Sequence, residues 1–107
     1  MPRSRLAALA GVLALATLGV AKAAGPAAAV RIDNFAFSPT PITVAAGATV
    51  TWTNADDIPH TVRSSDGVFH SKPMDTDDSF SFTFPKAGVY SYFCSIHPKM
   101  VGKVIVK

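Results

Sequence analysis

The stretch Tyr92-Phe93-Cys94-Ser95-Ile96-His97-Pro98-Lys99-Met100 carries a thiol, an imidazole and a thioether at Cys-x-x-His-x-x-Met spacing. Those donors suit a metal that changes oxidation state. Thiolate and thioether are soft ligands matched to Cu(I), and imidazole serves both Cu(I) and Cu(II). Two imidazoles and a thiolate in a plane, with a weak axial thioether, form an electron-transfer copper site. The second imidazole must come from elsewhere. His60 is the candidate, because it follows the 54–59 loop directly and shares a strand face with Val62. His70 has no partner at ligand spacing and reads as a surface histidine. Met74 is the rival thioether, but it lies in an acidic segment away from the motif. The expected ligand set is therefore His60, Cys94, His97 and Met100. Zinc is the rival metal. Its structural sites usually draw four ligands from Cys and His and rarely take Met, whereas this chain offers one Cys.

Each residue also has an ordinary explanation. A single Cys at a strand end is usually a small buried hydrophobe, and Met fills core gaps readily. A strand histidine is often only hydrogen-bonded. The spacing gives the three C-terminal donors a shared reason that these separate readings lack. The lone cysteine excludes an internal disulfide, and an unpaired thiol in an exported protein needs an explanation.

The donors must be positioned by strands, since period-two alternation dominates the sequence. Ala48-Thr49-Val50-Thr51-Trp52-Thr53 separates an apolar face from three threonines, and Ser79-Phe80-Ser81-Phe82-Thr83-Phe84 separates three phenylalanines from hydroxyls. Ile42-Thr43-Val44, His60 to Arg63, Val89 to Cys94 and Lys103 to Val106 follow the same rule less strongly. Val30 to Phe37 reads as a first strand whose alternation slips near Asn34, which predicts a bulge or bend. Ser38-Pro39-Thr40-Pro41, Ala46-Gly47, the 54–57 segment and Pro85-Lys86-Ala87-Gly88 supply the turns. Residues 64–78 read as a long surface loop with room for a short helical turn. No segment keeps a helical period. The pattern predicts an all-β, antiparallel sandwich of Greek-key type. His97 and Met100 then fall on a loop at one end of it. Trp52, Phe80, Phe82, Phe84, Tyr90, Tyr92 and Phe93 are assigned to packing.

The N-terminus follows another logic. Arg3 and Arg5 precede an apolar run from Leu6 to Val20, and Ala21-Lys22-Ala23 follows. That is the layout of a secretory signal peptide, expected to be cleaved after residue 23 and to leave a single domain over 24–107. The alternative is an uncleaved anchor, but the apolar run is shorter than the ~20 residues a spanning helix needs. The formal charge of +3 is carried by Arg3, Arg5 and Lys22, so residues 24–107 are neutral. A basic balance that resides in a leader gives no support to nucleic-acid binding. Asp56, Asp57, Asp66, Asp75, Asp77 and Asp78 cluster in the middle of the chain and read as a solvated surface. Lys86, Lys99, Lys103 and Lys107 lie towards the end.

The sequence resembles the cupredoxin family, and within it the amicyanin and plastocyanin group. The matching residues are Phe37-Ser38-Pro39, Ile42 to Gly47, Val50-Thr51-Trp52-Thr53-Asn54, Pro59-His60-Thr61-Val62 and Gly88 to Cys94, with His97, Met100, Gly102 and Val104. The short Cys-x-x-His-x-x-Met loop is that of amicyanins. The resemblance implies a copper-holding β-sandwich in the bacterial periplasm. It also implies a monomer that shuttles single electrons between redox proteins, such as a c-type cytochrome or a dehydrogenase, docking transiently near His97. Two positions depart from the group. Thr61 stands where Asn often follows the first ligand, and Lys99 replaces an aromatic residue before the Met.

Other functions fit less well. A multicopper oxidase or nitrite reductase fragment needs further histidines, commonly as His-x-His pairs, and the three present are not so paired. A copper-delivery protein needs metal exchange, which an enclosed thiolate site resists. A metal-free adhesion sandwich leaves Cys94, His97 and Met100 without a common purpose.

Overall fold

The computed structural model describes residues 26–107, so the expected leader over 1–23 lies outside the described residues. Alternating sequence becomes eight strands: β1 (Ala27–Asp33), β2 (Ala36–Ser38), β3 (Ile42–Val44), β4 (Thr49–Asn54), β5 (Arg63–Ser64), β6 (Ser79–Thr83), β7 (Gly88–Phe93) and β8 (Val101–Val106). They form two four-stranded sheets, in the orders β2-β1-β4-β6 and β3-β8-β7-β5. No helix occurs among the described residues. The sandwich expected from the sequence is present, but its pairing is mixed. β1 runs parallel to β4, and β3 runs parallel to β8. Alternation tells which face a residue occupies and carries no information on which strand lies beside it.

The apolar faces meet between the sheets. Trp52, Phe84, Tyr92, Ile32, Val50 and Val104 are fully buried there. Trp52 touches rings from both sheets, with centroids 5.4 Å from Tyr92 and 5.8 Å from Phe80. On the outer face of β4 and β6 the hydroxyls pair across the strands. Thr49 meets Thr83 and Thr51 meets Ser81, both at 2.7 Å, and Thr53 meets Ser79 at 2.9 Å. Such cross-strand pairs fix the register that points every second residue of β4 into the core.

Three local features differ from the sequence expectation. The slip at Asn34 is a bend, as one of the two expected forms, but it closes fully into a tight hairpin. Asn34 and Phe35 take φ of 53° and 59°, and Asp33 pairs with Ala36 across the turn. Two consecutive left-handed residues are what a two-residue turn between twisted strands requires. The 64–78 segment contains no helical turn and is tied down by bridges from His60 to Met74 and from Arg63 to His70. Met74 is 3% exposed and belongs to the core, although its neighbours are acidic.

The ends of β1, β4 and β7 and the start of β8 lie at one end of the sandwich, which is where every expected donor falls. One packing constraint reaches that end. Gly102 sits opposite Tyr92 in the β7–β8 ladder, and a Cβ on it would press into the Tyr92 ring. That ring packs edge-on against Phe37 and Trp52, so it cannot shift without disturbing them. Gly102→Ala is expected to destabilise the fold by ~1–3 kcal/mol, the usual cost of overpacking. Urea unfolding measures it, and a midpoint equal to the parent's would show that the ring has room.

Candidate metal centre

His60 follows β4 through a loop braced by Asn54. The Asn54 amide is fully buried and donates to the carbonyls of Ile58 and Met74, both at 2.9 Å, while its oxygen accepts the Asp56 N–H. His60 and Met74 then exchange backbone hydrogen bonds of 3.2 and 2.8 Å. The imidazole of His60 is thus carried into the sandwich on a fixed backbone, with no exposed surface.

Its orientation is set by Asp56. The carboxylate lies 2.7 Å from Nε2 of His60. A carboxylate only accepts, so Nε2 carries the proton and Nδ1 is left with a lone pair. That lone pair faces Cys94, whose Sγ is 3.7 Å away. On the other side of the sulfur lies Nδ1 of His97, at 3.9 Å. The three donor atoms all lie within 4.8 Å of one another. Imidazole and thiolate bonds of ~2.0–2.3 Å, arranged in a trigonal plane, place donors ~3.5–4 Å apart. The sulfur-to-nitrogen separations match that triangle, so the residues present fit a single metal ion.

The loop carrying His97 is closed on itself. The N–H of Cys94 donates to the Met100 carbonyl at 3.1 Å, and the N–H of Met100 to the His97 carbonyl at 2.9 Å. Met100 is 6% exposed and lines the same hollow as His97, Phe35, Ile96, Pro98 and Lys99. His97 itself is half-buried. A second hollow, lined by Thr40, Phe93, Val101 and Gly102 among others, contains none of the donors.

The sulfur is also electrostatically prepared. Burial alone would push the Cys94 thiol up. Hydrogen bonds, the N–H of Thr61 first among them, outweigh burial and bring it down to about 6. Thr61 also braces the site. Its N–H reaches the sulfur at 3.4 Å, and its hydroxyl accepts the Ser95 N–H at 2.7 Å. His70 is exposed and outside the donor cluster, as expected.

Two residues of the site escaped the sequence reading. Asp56 was assigned to a solvated acidic surface. Its carboxylate instead gathers the His60 ring with the N–H groups of Asn34 and Phe35, at 2.6 and 3.0 Å. Those two bonds hold the left-handed hairpin, which costs a non-glycine residue ~1–2 kcal/mol. The hairpin in turn sets the Phe35 ring edge-on against both His60 and His97, with centroids 5.4 and 5.2 Å apart. The loop has Lys99 before its Met, and the aromatic cover over His97 comes from Phe35. An Asp four residues before a ligand histidine was the available signal for Asp56. Phe35 left none, because nothing local shows where a turn residue will point.

Among the described residues this is a β-sandwich with a His, Cys and His cluster at its end that could hold one metal ion. The chain belongs to the cupredoxin-like domain family, whose sequence model matches residues 5–106. It is 40% identical over 86 residues to the amicyanin of Paracoccus versutus, covering 76% of this chain and 65% of that protein, just under two thirds of its length. It is 32% identical over 105 residues to amicyanin-alpha of Methylorubrum extorquens, covering 94% and 88%. Among solved structures, a purple cupredoxin from Nitrosopumilus maritimus superposes with a TM-score of 0.70 at 38% identity, covering 75% of this chain and 99% of the other. The class is that of blue-copper electron carriers, and copper is its cofactor.

Asp56 makes the fold sensitive to acid. Burial would push its carboxyl up, but the N–H groups of Phe35 and Asn34 and the His60 ring hold it below 3.8. A carboxyl depressed in the folded state stabilises above its unfolded pKa, and that increment is lost as pH falls through the folded value. Asp56→Asn is therefore expected to be less stable than the parent at neutral pH, by ~1–3 kcal/mol for the weakened charged hydrogen bonds. The gap should narrow as pH falls below about 4, the unfolded value, towards the lowered value at which the folded parent's Asp56 protonates. Unfolding midpoints measured across that range test this, and a gap independent of pH would contradict it.

Proposed function

We propose that one copper ion is held by Cys94 Sγ and the Nδ1 atoms of His60 and His97, with Met100 as the weak axial donor. The domain is residues 24–107, exported to the periplasm by a signal peptide over 1–23 that is then removed. There it works as a monomer that shuttles single electrons between redox proteins, such as a c-type cytochrome or a dehydrogenase. The observation that carries this reading is the Cys94 sulfur standing 3.7 and 3.9 Å from the two ring nitrogens.

Copper supplies the one-electron couple; the chain's residues decide how well it runs. Asp56 keeps the proton on Nε2 of His60, so Nδ1 stays available in both oxidation states. The closed Cys94–Met100 loop fixes the thiolate and His97 with little freedom to rearrange. Burial of His60 and Cys94 excludes water from one side of the centre. His97 is the half-buried ligand and offers the short path to a partner. Around it Phe35 and Ile96, 51% and 46% exposed, with Pro98, form a small apolar rim. Small interfaces of this kind suit weak, transient redox encounters.

Copper delivery is the competing reading. It calls for easy metal release, and the buried thiolate between two fixed imidazoles works against that.

The visible spectrum of the Cu(II) protein is the direct test. An intense thiolate-to-copper band is expected, and Cys94→Ser should abolish it. Met100→Gln should keep the band while lowering the reduction potential, because an oxygen donor favours Cu(II) over Cu(I). A Cys94→Ser protein as strongly coloured as the parent would remove the thiolate assignment. A Met100→Gln potential equal to the parent's would remove the axial one.

A further inference from the structure

Thr61 brings two donors to the same sulfur. Its backbone N–H lies 3.4 Å from Cys94 Sγ, and its Oγ1 lies 3.8 Å from it. The hydroxyl has one proton and two lone pairs to place. One lone pair accepts the Ser95 N–H at 2.7 Å. Ser95 Oγ is also 2.7 Å away, and either oxygen can be the donor in that contact. The Thr61 proton therefore has two destinations, Ser95 Oγ or Cys94 Sγ.

Burial and charge decide between them. Thr61 is 2% exposed, so its hydroxyl has no ready access to water. Ser95 is exposed, and water can satisfy its remaining lone pairs. When Ser95 Oγ–H donates, both lone pairs of Thr61 are filled and its proton is left to the sulfur. A thiolate is an ionised acceptor, and hydrogen bonds to ionised groups are the stronger ones. The lowest-cost arrangement runs from Ser95 hydroxyl to Thr61 hydroxyl to Cys94 sulfur.

We propose that Thr61 is a positioning residue that tunes the redox centre: its hydroxyl gives the Cys94 sulfur a second hydrogen bond, and the Ser95 hydroxyl, by donating to Thr61 Oγ1, leaves the Thr61 proton to the sulfur. This rests on the copper assignment above and deepens it. Hydrogen bonding around the cysteine sulfur is one of the levers on the potential of such a site. A donor to the sulfur reduces the electron density it gives to Cu(II), so it favours the reduced state and raises the potential.

Voltammetry on the copper-loaded parent, Thr61→Val, Thr61→Ser and Ser95→Ala tests the proposal. Thr61→Val should lower the potential, and Thr61→Ser should restore it. Ser95→Ala takes away the donor to Thr61 but leaves the Thr61 proton on the sulfur, so its potential should fall less than that of Thr61→Val. A hydroxyl that only braced the loop through Ser95 would give Thr61→Val and Ser95→Ala equal falls. That pattern overturns the proposal, and so does an unchanged potential in Thr61→Val. If Thr61→Val holds copper poorly, the copper–sulfur stretch of the parent and Ser95→Ala in H2O and D2O replaces it. A deuterium-sensitive shift that differs between the parent and Ser95→Ala supports the O–H to sulfur bond, since the Thr61 N–H contributes equally to both, and identical shifts refute it. A parent protein lacking the thiolate-to-copper band would refute the metal assignment itself, whereas a band present with the wrong pattern of potentials refutes only the role of Thr61.

Discussion

A buried imidazole with both nitrogens committed is the constraint on which the metal end of this protein depends. His60 has no exposed surface, so neither ring nitrogen can turn to water. Asp56 accepts from Nε2 at 2.7 Å, and the other nitrogen is thereby aimed at the Cys94 sulfur. Burying a charged carboxylate is costly unless its oxygens are hydrogen-bonded. Here the same carboxylate accepts from Asn34 and Phe35, which holds the hairpin that covers His60 and His97. Ligand orientation, hairpin geometry and aromatic cover all depend on one side chain.

The second half of the centre is organised by chain closure. The Cys94–Met100 loop is bonded at both ends, and Pro98 restricts the backbone at His97. The first half, residues 54–61, approaches from the other sheet and meets the loop through Thr61, Ser95 and Cys94. The contact crosses the sandwich end, so the stability of the two sheets is what keeps the donors in register. A site whose supporting residues are themselves locked keeps its geometry through a change of charge on the metal. For an electron carrier that rigidity is the function.

How much of this could be read from sequence differs by residue. β4 and β6 were legible because Thr49 to Thr53 and Ser79 to Thr83 alternate cleanly and bury only one face. Cys94, His97 and Met100 were legible because their spacing has a chemical reason. The parallel pairing of β1 with β4 was not, since alternation does not name a neighbour. The bend at Asn34 was legible but its closure into a hairpin was not, because the carboxylate that holds it lies 22 and 21 residues away, at Asp56. Met74 looked exposed in its acidic surroundings, yet the Asn54 amide and the bridge to His60 draw it into the core. Local signals located the elements and the donors. The interactions that lock them came from residues distant in the chain.

The central claim is that the fold alone sets the donor triangle and its His60 tautomer, and copper only fills it. A high-resolution crystal structure of the copper-loaded protein tests this most directly. The account predicts copper bound to Cys94 Sγ and to Nδ1 of His60 and His97, with Nε2 of His60 still on Asp56 and Met100 as the more distant fourth donor. Copper on Nε2 of His60, with the Asp56 contact broken, or copper bound away from Cys94, would contradict it.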